Sequence, residues 1–225
     1  MEPVVVAIDG PAGVGKSTTS RRVAEELGIP HIDTGAMYRA MALKALRANV
    51  PASEPEALER LARSSRIDLE GSGSGQRVLL DGEDVSAAIR TPEMSMAASV
   101  VSAVPQVRRI LVGMQQSLGL RAGGVLEGRD IGTRVFPETP YKFFLTATPE
   151  VRARRRQLDL RSRGIEQPLD QVRREIETRD RQDSTRDDSP LTWDATYTVL
   201  DTSGMSLEQV VEAIVGRVRG ARTAR

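Results

Sequence analysis

The chain has 225 residues and a formal net charge of +1, from 32 basic and 31 acidic residues, with one histidine and no cysteine. The length suits one large domain with its own core, and the near-neutral charge argues against a general polyanion binder. The lack of cysteine excludes disulfides, thiolate metal sites and a cysteine nucleophile.

Lys16, Lys44 and Lys142 are the only lysines, so 29 of the basic residues are arginine. A GC-rich coding sequence explains such a skew, but so does a need for planar forks that grip phosphate or carboxylate. No apolar stretch approaches the ~20 residues of a membrane span. The run Val4 to Ile8 is also too short for a signal sequence. A cytoplasmic protein with no membrane partner is expected.

Val4 to Asp9 is a largely β-branched run closed by Gly10-Pro11, and it reads as a buried strand. A Gly-rich turn follows, then a helix over Lys16 to Leu27 ended by Gly28. His31 to Asp33 is a short strand, and Met37 to Leu46 a second helix. Pro55 to Ala62 is a third, with Ser53 as its expected N-cap. From Arg66 to Val85 short apolar runs alternate with Gly-Ser turns and Asp81-Gly82, the signal of an antiparallel hairpin insert. Helices resume at Pro92 to Ala103 and Pro105 to Leu118, each with proline in its first turn. Gly124 to Leu126 and Tyr141 to Leu145 are strands. Pro149 to Leu160 and Leu169 to Asp183 are Arg-rich helices, Tyr197 to Leu200 is a strand and Leu207 to Val218 a last helix. The segment Arg219 to Arg225 is expected to fray. Strands alternating with helices indicate an α/β fold on a parallel sheet.

Gly10-Pro11-Ala12-Gly13-Val14-Gly15-Lys16-Ser17, followed by Thr18, fits the phosphate-binding pattern GxxxxGK[ST] between a strand and a helix. Small residues let backbone N–H groups converge on phosphate oxygens, and the helix presents its positive end to the same anion. Lys16 would reach the outer phosphates and Ser17 would ligate Mg²⁺. A nucleoside triphosphate is therefore the expected ligand. No Asn-Lys-x-Asp guanine reader follows, so a GTPase is disfavoured, and a small kinase fits the length.

Asp33-Thr34-Gly35-Ala36-Met37-Tyr38-Arg39 opens a helix at a strand end, where free N–H groups and Arg39 would hold a second anion. An ordinary N-cap with a solvated Arg39 would look the same. Glu127-Gly128-Arg129-Asp130 follows the strand Val125-Leu126, at the end of a parallel strand where ligands sit. Glu127 would order Mg²⁺ and its waters, and a surface turn with a local salt bridge is the other reading. Arg152 and Arg156 share one helix face, as do Arg179, Asp183 and Arg186. Two such helices joined by Gly164 to Pro168 read as a lid that closes on phosphate, against the alternative of a solvated basic face.

Together these motifs resemble the bacterial cytidylate kinases, within the P-loop nucleoside monophosphate kinases. The resemblance runs from Ile8-Asp9-Gly10-Pro11 to Leu207 and includes Glu127 to Thr133 and Arg179-Asp180…Asp183…Arg186. It implies a P-loop NTPase-type five-stranded parallel sheet with flanking helices, an antiparallel β insert and a helical lid. It also implies a single kinase domain: residues 1–33, 104–150 and 187–218 as core, 34–103 for the monophosphate (insert 66–85), and 151–186 as lid. By the same resemblance Ser99, Arg108 and Asp130 would read cytosine, with Asp33, Thr34, Gly35 and Tyr38 beside the acceptor. Arg39 and Arg129 would hold the CMP phosphate, and Arg179 and Asp183 would approach sugar and phosphates. Arg152, Arg156 and Arg186 would close on the transferring group.

The implied reaction is ATP- and Mg²⁺-dependent phosphorylation of CMP or dCMP by a monomer without nucleic-acid partners. Two other readings stay open: a P-loop kinase of a small-molecule hydroxyl, shikimate- or gluconate-like, and a nucleic-acid-binding protein using its Arg helices. Aromatic residues are only 3%, which supplies base-stacking platforms poorly. The single histidine, His31, is read as structural. Lys16→Ala removes a phosphate charge partner and is expected to abolish nucleotide turnover; a near-normal steady-state rate would show that the Gly-rich turn is no phosphate cradle.

Overall fold

The computed structural model describes residues 3–71 and 76–223. Its elements in chain order are β1 (Val5–Asp9), α1 (Lys16–Leu27), β2 (His31–Asp33), α2 (Thr34–Arg47), α3 (Pro55–Arg63), β3 (Ile67–Glu70), β4 (Arg77–Leu80), β5 (Glu83–Asp84), α4 (Pro92–Ser102), α5 (Pro105–Ala122), β6 (Gly124–Gly128), β7 (Lys142–Thr146), α6 (Pro149–Arg161), α7 (Leu169–Thr185), β8 (Thr198–Asp201) and α8 (Leu207–Thr223). The main sheet has the order β2-β6-β1-β7-β8 and all its pairings are parallel. β1 sits centrally, and alternate side chains serve opposite faces. Val6 and Ile8 pack with Val23 and Ala24 of α1 and Val211 and Ile214 of α8. Ala7 turns the other way, onto Ile32, Leu126, Ile131 and Val135.

A second core, around Met37, Met41, Leu58, Ile89 and Leu111, joins α2, α3, α4 and α5 to a separate three-stranded antiparallel sheet, β3-β4-β5. This is the expected insert. Its tight turn is Asp81-Gly82, with φ of 53° and 91°, the positive values that an Asp-Gly hairpin turn uses. The Gly-Ser stretch within it, residues 72–75, lies outside the described residues. A third cluster pairs α6 with α7 through Ala153, Leu160, Val172 and Ile176, and Ala12 of the Gly-rich turn packs into it.

Several boundaries differ from expectation for local reasons. α2 starts at Thr34 instead of Met37, because the Asp33 carboxylate caps it by accepting from Ala36 N at 2.9 Å. Ser53 caps nothing: the N-cap position of α3 is Glu54, without a side-chain bond, and Pro55 starts the helix. β6 continues through Gly128, so Glu127 lies on the strand, paired with Ile8, and not after it. Ile131–Val135 forms a π-helical turn that periodicity did not announce. α8 runs past the expected fraying point at Arg219 to Thr223, and residues 224–225 lie outside the described residues.

Gly10 has φ +148°, and an added Cβ would collide with the Leu145 carbonyl oxygen. Gly216 in α8 has nothing within 4 Å of an added Cβ. Gly10→Ala is therefore expected to cost at least about 2 kcal/mol. Gly216→Ala should gain roughly 0.5–1 kcal/mol from helix entropy. Chemical denaturation of the two variants checks both signs.

Candidate functional site

The connections reverse direction between β1 and β6, where Asp9 lies opposite Gly128. An open α/β sheet binds ligands in the crevice at such a point. There the Gly-rich turn feeds α1, whose N-cap Gly15 is left-handed (φ 93°). Gly13 packs so closely on α6 that a Cβ would meet the Arg152 carbonyl oxygen at 2.7 Å. The two glycines thus let the backbone wrap an anion at the helix N-terminus.

A cavity of about 560 Å³ opens here. Ala12, Gly13, Val14, Gly15, Lys16, Ser17 and Thr18 line it, as do Asp33, Gly35, Arg39, Glu127, Arg129, Arg156 and Arg179. Gly10 and Pro11 of the expected cradle stand behind the wall; the Pro11 carbonyl accepts from Lys16 Nζ at 2.6 Å. Ser17 Oγ donates to Glu127 Oε2 at 2.7 Å, and His31 Nε2 lies 2.9 Å from Glu127 Oε1. His31 is buried, as a structural histidine would be, but its partner is the carboxylate expected at the metal.

A smaller pocket of about 50 Å³ adjoins the first, and Gly35, Gly128, Arg129 and Arg179 belong to both. Its wall brings together the expected acceptor residues Thr34, Tyr38, Ser99, Arg108, Asp130 and Asp183. Arg108 is 2% exposed and donates to Asp130 Oδ2 at 2.7 Å and to the Ser102 carbonyl at 2.9 Å. Its guanidinium lies 5.2 Å from the Tyr38 ring centre, a cation–π contact. Asp183 accepts from Arg129 Nε at 2.9 Å and from Ser99 Oγ at 3.3 Å.

Two of the expected residues stand outside the large cavity in this structure. Arg152 does not face the cavity: its guanidinium donates to the Ala12 carbonyl at 3.2 Å and pairs with Asp180 at 2.6 Å, tying α6 and α7 to the Gly-rich turn. Arg186 lies beyond the end of α7 in extended backbone. It lines the small pocket, beside Asp183, and not the cavity of the Gly-rich turn.

Other wall residues went unmarked in the sequence. Arg155 donates to Thr202 Oγ1 at 2.8 Å and to the Thr202 carbonyl at 2.7 Å. Met205, Leu207 and Val210 add an apolar side to the same cavity. Their available signal was position after β8, at the same end of the sheet as the Gly-rich turn.

The cavity concentrates positive charge. Burial, then Arg129, holds the Lys16 ammonium well below its usual range. Burial, with repulsion from Arg129, Arg39 and Arg156, pushes Arg179 down to about 9. Its Nε is buried without a hydrogen-bond partner among the described residues. Such an arrangement favours an anionic ligand that neutralises it. Against this, Arg39 and Arg129 stand beside Asp33 and Asp183 and hold those carboxyls below the usual range despite burial.

A family model described as cytidylate kinase matches residues 6–220. A cytidylate kinase of Syntrophotalea carbinolica is 48% identical over 212 residues, 94% of this chain and 90% of that protein. One of Pelotomaculum thermopropionicum is 49% identical over 218 residues, 96% of each chain. Among solved structures, an uncharacterized protein from Eubacterium ventriosum superposes with a TM-score of 0.55 at 11% identity, covering 97% of this chain and 99% of that one. That last likeness speaks for the fold alone.

Asp9 behaves oppositely to Asp33 and Asp183: burial pushes its carboxyl up to about 6, against the Gly132 and Ile131 N–H groups that bond it. A raised acid contributes stability that is whole below its unfolded value, 3.8, and is lost as pH rises through about 6. Asp33 and Asp183 contribute stability that is lost only as pH falls below the ordinary carboxylate range. Between pH 5 and 7 the Asp9 contribution is therefore expected to make stability fall as pH rises. Denaturation midpoints of the protein minus those of Asp9→Asn across that window measure it, and an unchanging difference would refute it.

Proposed function

The chain belongs to the cytidylate kinase family, and we infer that it transfers the γ-phosphoryl group of ATP to CMP or dCMP, giving ADP and CDP or dCDP. One observation carries the reading: a phosphate-cradle cavity and a small polar pocket share Gly35, Gly128, Arg129 and Arg179 as a common wall. A triphosphate in the first and a monophosphate nucleotide reaching from the second would meet at those arginines.

Cytosine presents an N4 amino donor and the N3 and O2 acceptors. Asp130 and Ser99 oxygens would accept from N4, and Arg108 would donate to the acceptors. Uracil would turn a carbonyl toward Asp130 and leave two acceptors facing each other, which costs affinity. Arg39 and Arg129 would hold the acceptor phosphate, with Thr34 and Gly35 at the positive end of α2. Asp183 and Arg179 would approach the sugar and phosphates. The large cavity's apolar side at Met205, Leu207 and Val210 would receive the donor base.

In the transfer, an oxygen of the acceptor phosphate bonds to the γ-phosphorus while the bond from that phosphorus to the β–γ bridging oxygen breaks. The electron pair leaves on the β-phosphate of ADP. The attacking phosphate is already ionised at pH 7, so no general base is required and catalysis reduces to positioning and charge neutralisation. Lys16, Arg156 and Arg179 would supply that neutralisation. Arg152 would act by holding α6 against the Gly-rich turn, and Arg186 from the nucleobase pocket.

Mg²⁺ fits the oxygens present. Ser17 Oγ and Glu127 Oε2 lie 2.7 Å apart at the cavity wall. Among the described residues no cluster of three or more His, Cys, Asp or Glu could hold a metal. Mg²⁺ usually keeps several waters and binds through one or two protein oxygens together with substrate phosphates. Ser17 and Glu127 would hold it, and when bound it would neutralise phosphate charge.

A single chain carries both pockets, so the reading needs no second copy and takes the protein as a cytoplasmic monomer. It treats residues 151–186 as the lid and 34–103 as the monophosphate region. No described helix is long and apolar enough to cross a membrane.

A coupled ADP-release assay over CMP, dCMP, UMP, AMP, GMP, shikimate and gluconate tests the assignment. CMP and dCMP should be the best acceptors; turnover of a hydroxyl substrate with CMP inert would overturn the reading. Removing the Asp130 side chain would leave Arg108 buried and unpaired, at a cost of roughly 3–5 kcal/mol, so Asp130→Asn is the better probe. It should raise KM for CMP by about tenfold or more with little change in KM for ATP. Equal loss for both substrates would place Asp130 elsewhere in the reaction.

A further inference from the structure

Asp9 lies at the end of β1, immediately before the phosphate cradle, and is fully buried. Its carboxylate does not turn toward the cradle. Oδ1 accepts from Ile131 N at 2.9 Å, Oδ2 accepts from Gly132 N at 2.9 Å, and Oδ2 also accepts from the Tyr197 hydroxyl at 2.8 Å. Ile131 and Gly132 are the first residues of the π-helical turn, and Asp130 is the residue that enters it. Asp9 therefore caps that turn from 122 residues away in sequence.

The consequence falls on Asp130. Its backbone (φ −146°, ψ 25°) belongs to no regular element. Its carbonyl accepts from Arg134 N at 2.8 Å, so the turn pulls on one side of the peptide bond that follows it. The Ile131 N–H on the other side of that bond is held by Asp9. With the plane fixed at both atoms, the Asp130 carboxylate stays where Arg108 meets it on Oδ2. Tyr197 is fixed in turn: its ring packs edge-on to Phe144, with centroids 6.3 Å apart, and Phe144 lies under Trp193 at 4.4 Å. Tyr197 also approaches the turn closely: a Cβ on Gly132 would meet its hydroxyl at 2.6 Å.

Resting on the assignment of Asp130 to the acceptor base, we propose that Asp9 and Tyr197 are positioning residues that set the Asp130 carboxylate for nucleobase discrimination. They touch neither substrate. They act through two peptide N–H groups, and they join the entrance of β8 to the pocket wall.

The test uses Asp9→Asn and Tyr197→Phe, with the unaltered protein run in parallel over CMP, UMP and ATP. In Asp9→Asn one N–H donor faces an amide NH₂, so a buried donor loses its acceptor. KM for CMP is expected to rise about tenfold and the CMP-over-UMP preference in kcat/KM to fall at least about fivefold. Asp9 also adds negative potential at Lys16, so a change in ATP affinity in that variant has a second source. Tyr197→Phe keeps the charge and separates the two: CMP-over-UMP preference should fall about two- to threefold, with KM for ATP within about twofold of the original. Thermal unfolding identifies a variant that fails to fold, in which case Tyr197→Phe alone decides. An unchanged CMP-over-UMP preference in folded Tyr197→Phe would overturn the proposal, as would equal loss of ATP and CMP use in both variants. Failure of the unaltered protein to use CMP would instead sink the functional assignment, and this inference with it.

Discussion

Confinement of positive charge is the constraint on which this structure turns. Lys16, Arg39, Arg129, Arg156 and Arg179 line one cavity in a protein whose net charge is only +1. Buried cations repel one another and lose hydration, and the lowered values at Lys16 and Arg179 express both costs. The fold offsets part of the cost with carboxylates. Asp33 holds Arg39, Asp183 holds Arg129, and Asp159 bridges Arg156 and Arg163. These pairs fix the guanidinium planes near the places where phosphate oxygens would arrive. A ligand's phosphates would then add charge balance to groups that are already oriented, which is how an electrostatic site avoids reorganising during reaction.

The parallel sheet makes that concentration possible. The direction of its connections reverses between β1 and β6, so their ends leave an open crevice. The Gly-rich turn fills one side and Glu127 to Asp130 the other. α2 brings Thr34, Gly35 and Arg39 across the top, and α6 and α7 bring Arg156 and Arg179. α6 and α7 are not free of the Gly-rich turn: Ala12 packs among Ala153, Leu160, Val172 and Ile176, and Arg152 bonds the Ala12 carbonyl. Movement of α6 and α7 would therefore be felt directly at the phosphate loop.

Much of this was legible in the chain. The strand–Gly-rich turn–helix at Val5 to Leu27, the Asp81-Gly82 hairpin and the proline-started helices all follow from neighbours in sequence. Local steric and hydrogen-bonding rules decide such features. Most of the expected site residues also line one pocket or the other. The misses share a cause. Asp9 was read only as the end of a strand, because its three partners, Ile131, Gly132 and Tyr197, lie more than 120 residues away. Arg155 looked no different from Arg154 within one basic run, since the face of α6 that turns to the cavity is set by packing on α7. His31 reads as structural in the sequence, and only the pairing of β2 with β6 shows that Glu127 is its partner.

The sequence alone determined the cradle, the alternation of strands and helices, the insert and the family resemblance, because each depends on residue type at short spacing. Only the tertiary structure decided what each arginine faces. A guanidinium at the end of a long side chain can reach a carboxylate, a carbonyl or a cavity from the same backbone position. The choice depends on which distant element offers an acceptor and excludes water. Thus Arg152 became a tie to Ala12 and Asp180, Arg186 moved to the small pocket, and Arg179 was left buried in the shared wall, its charge opposed by its neighbours.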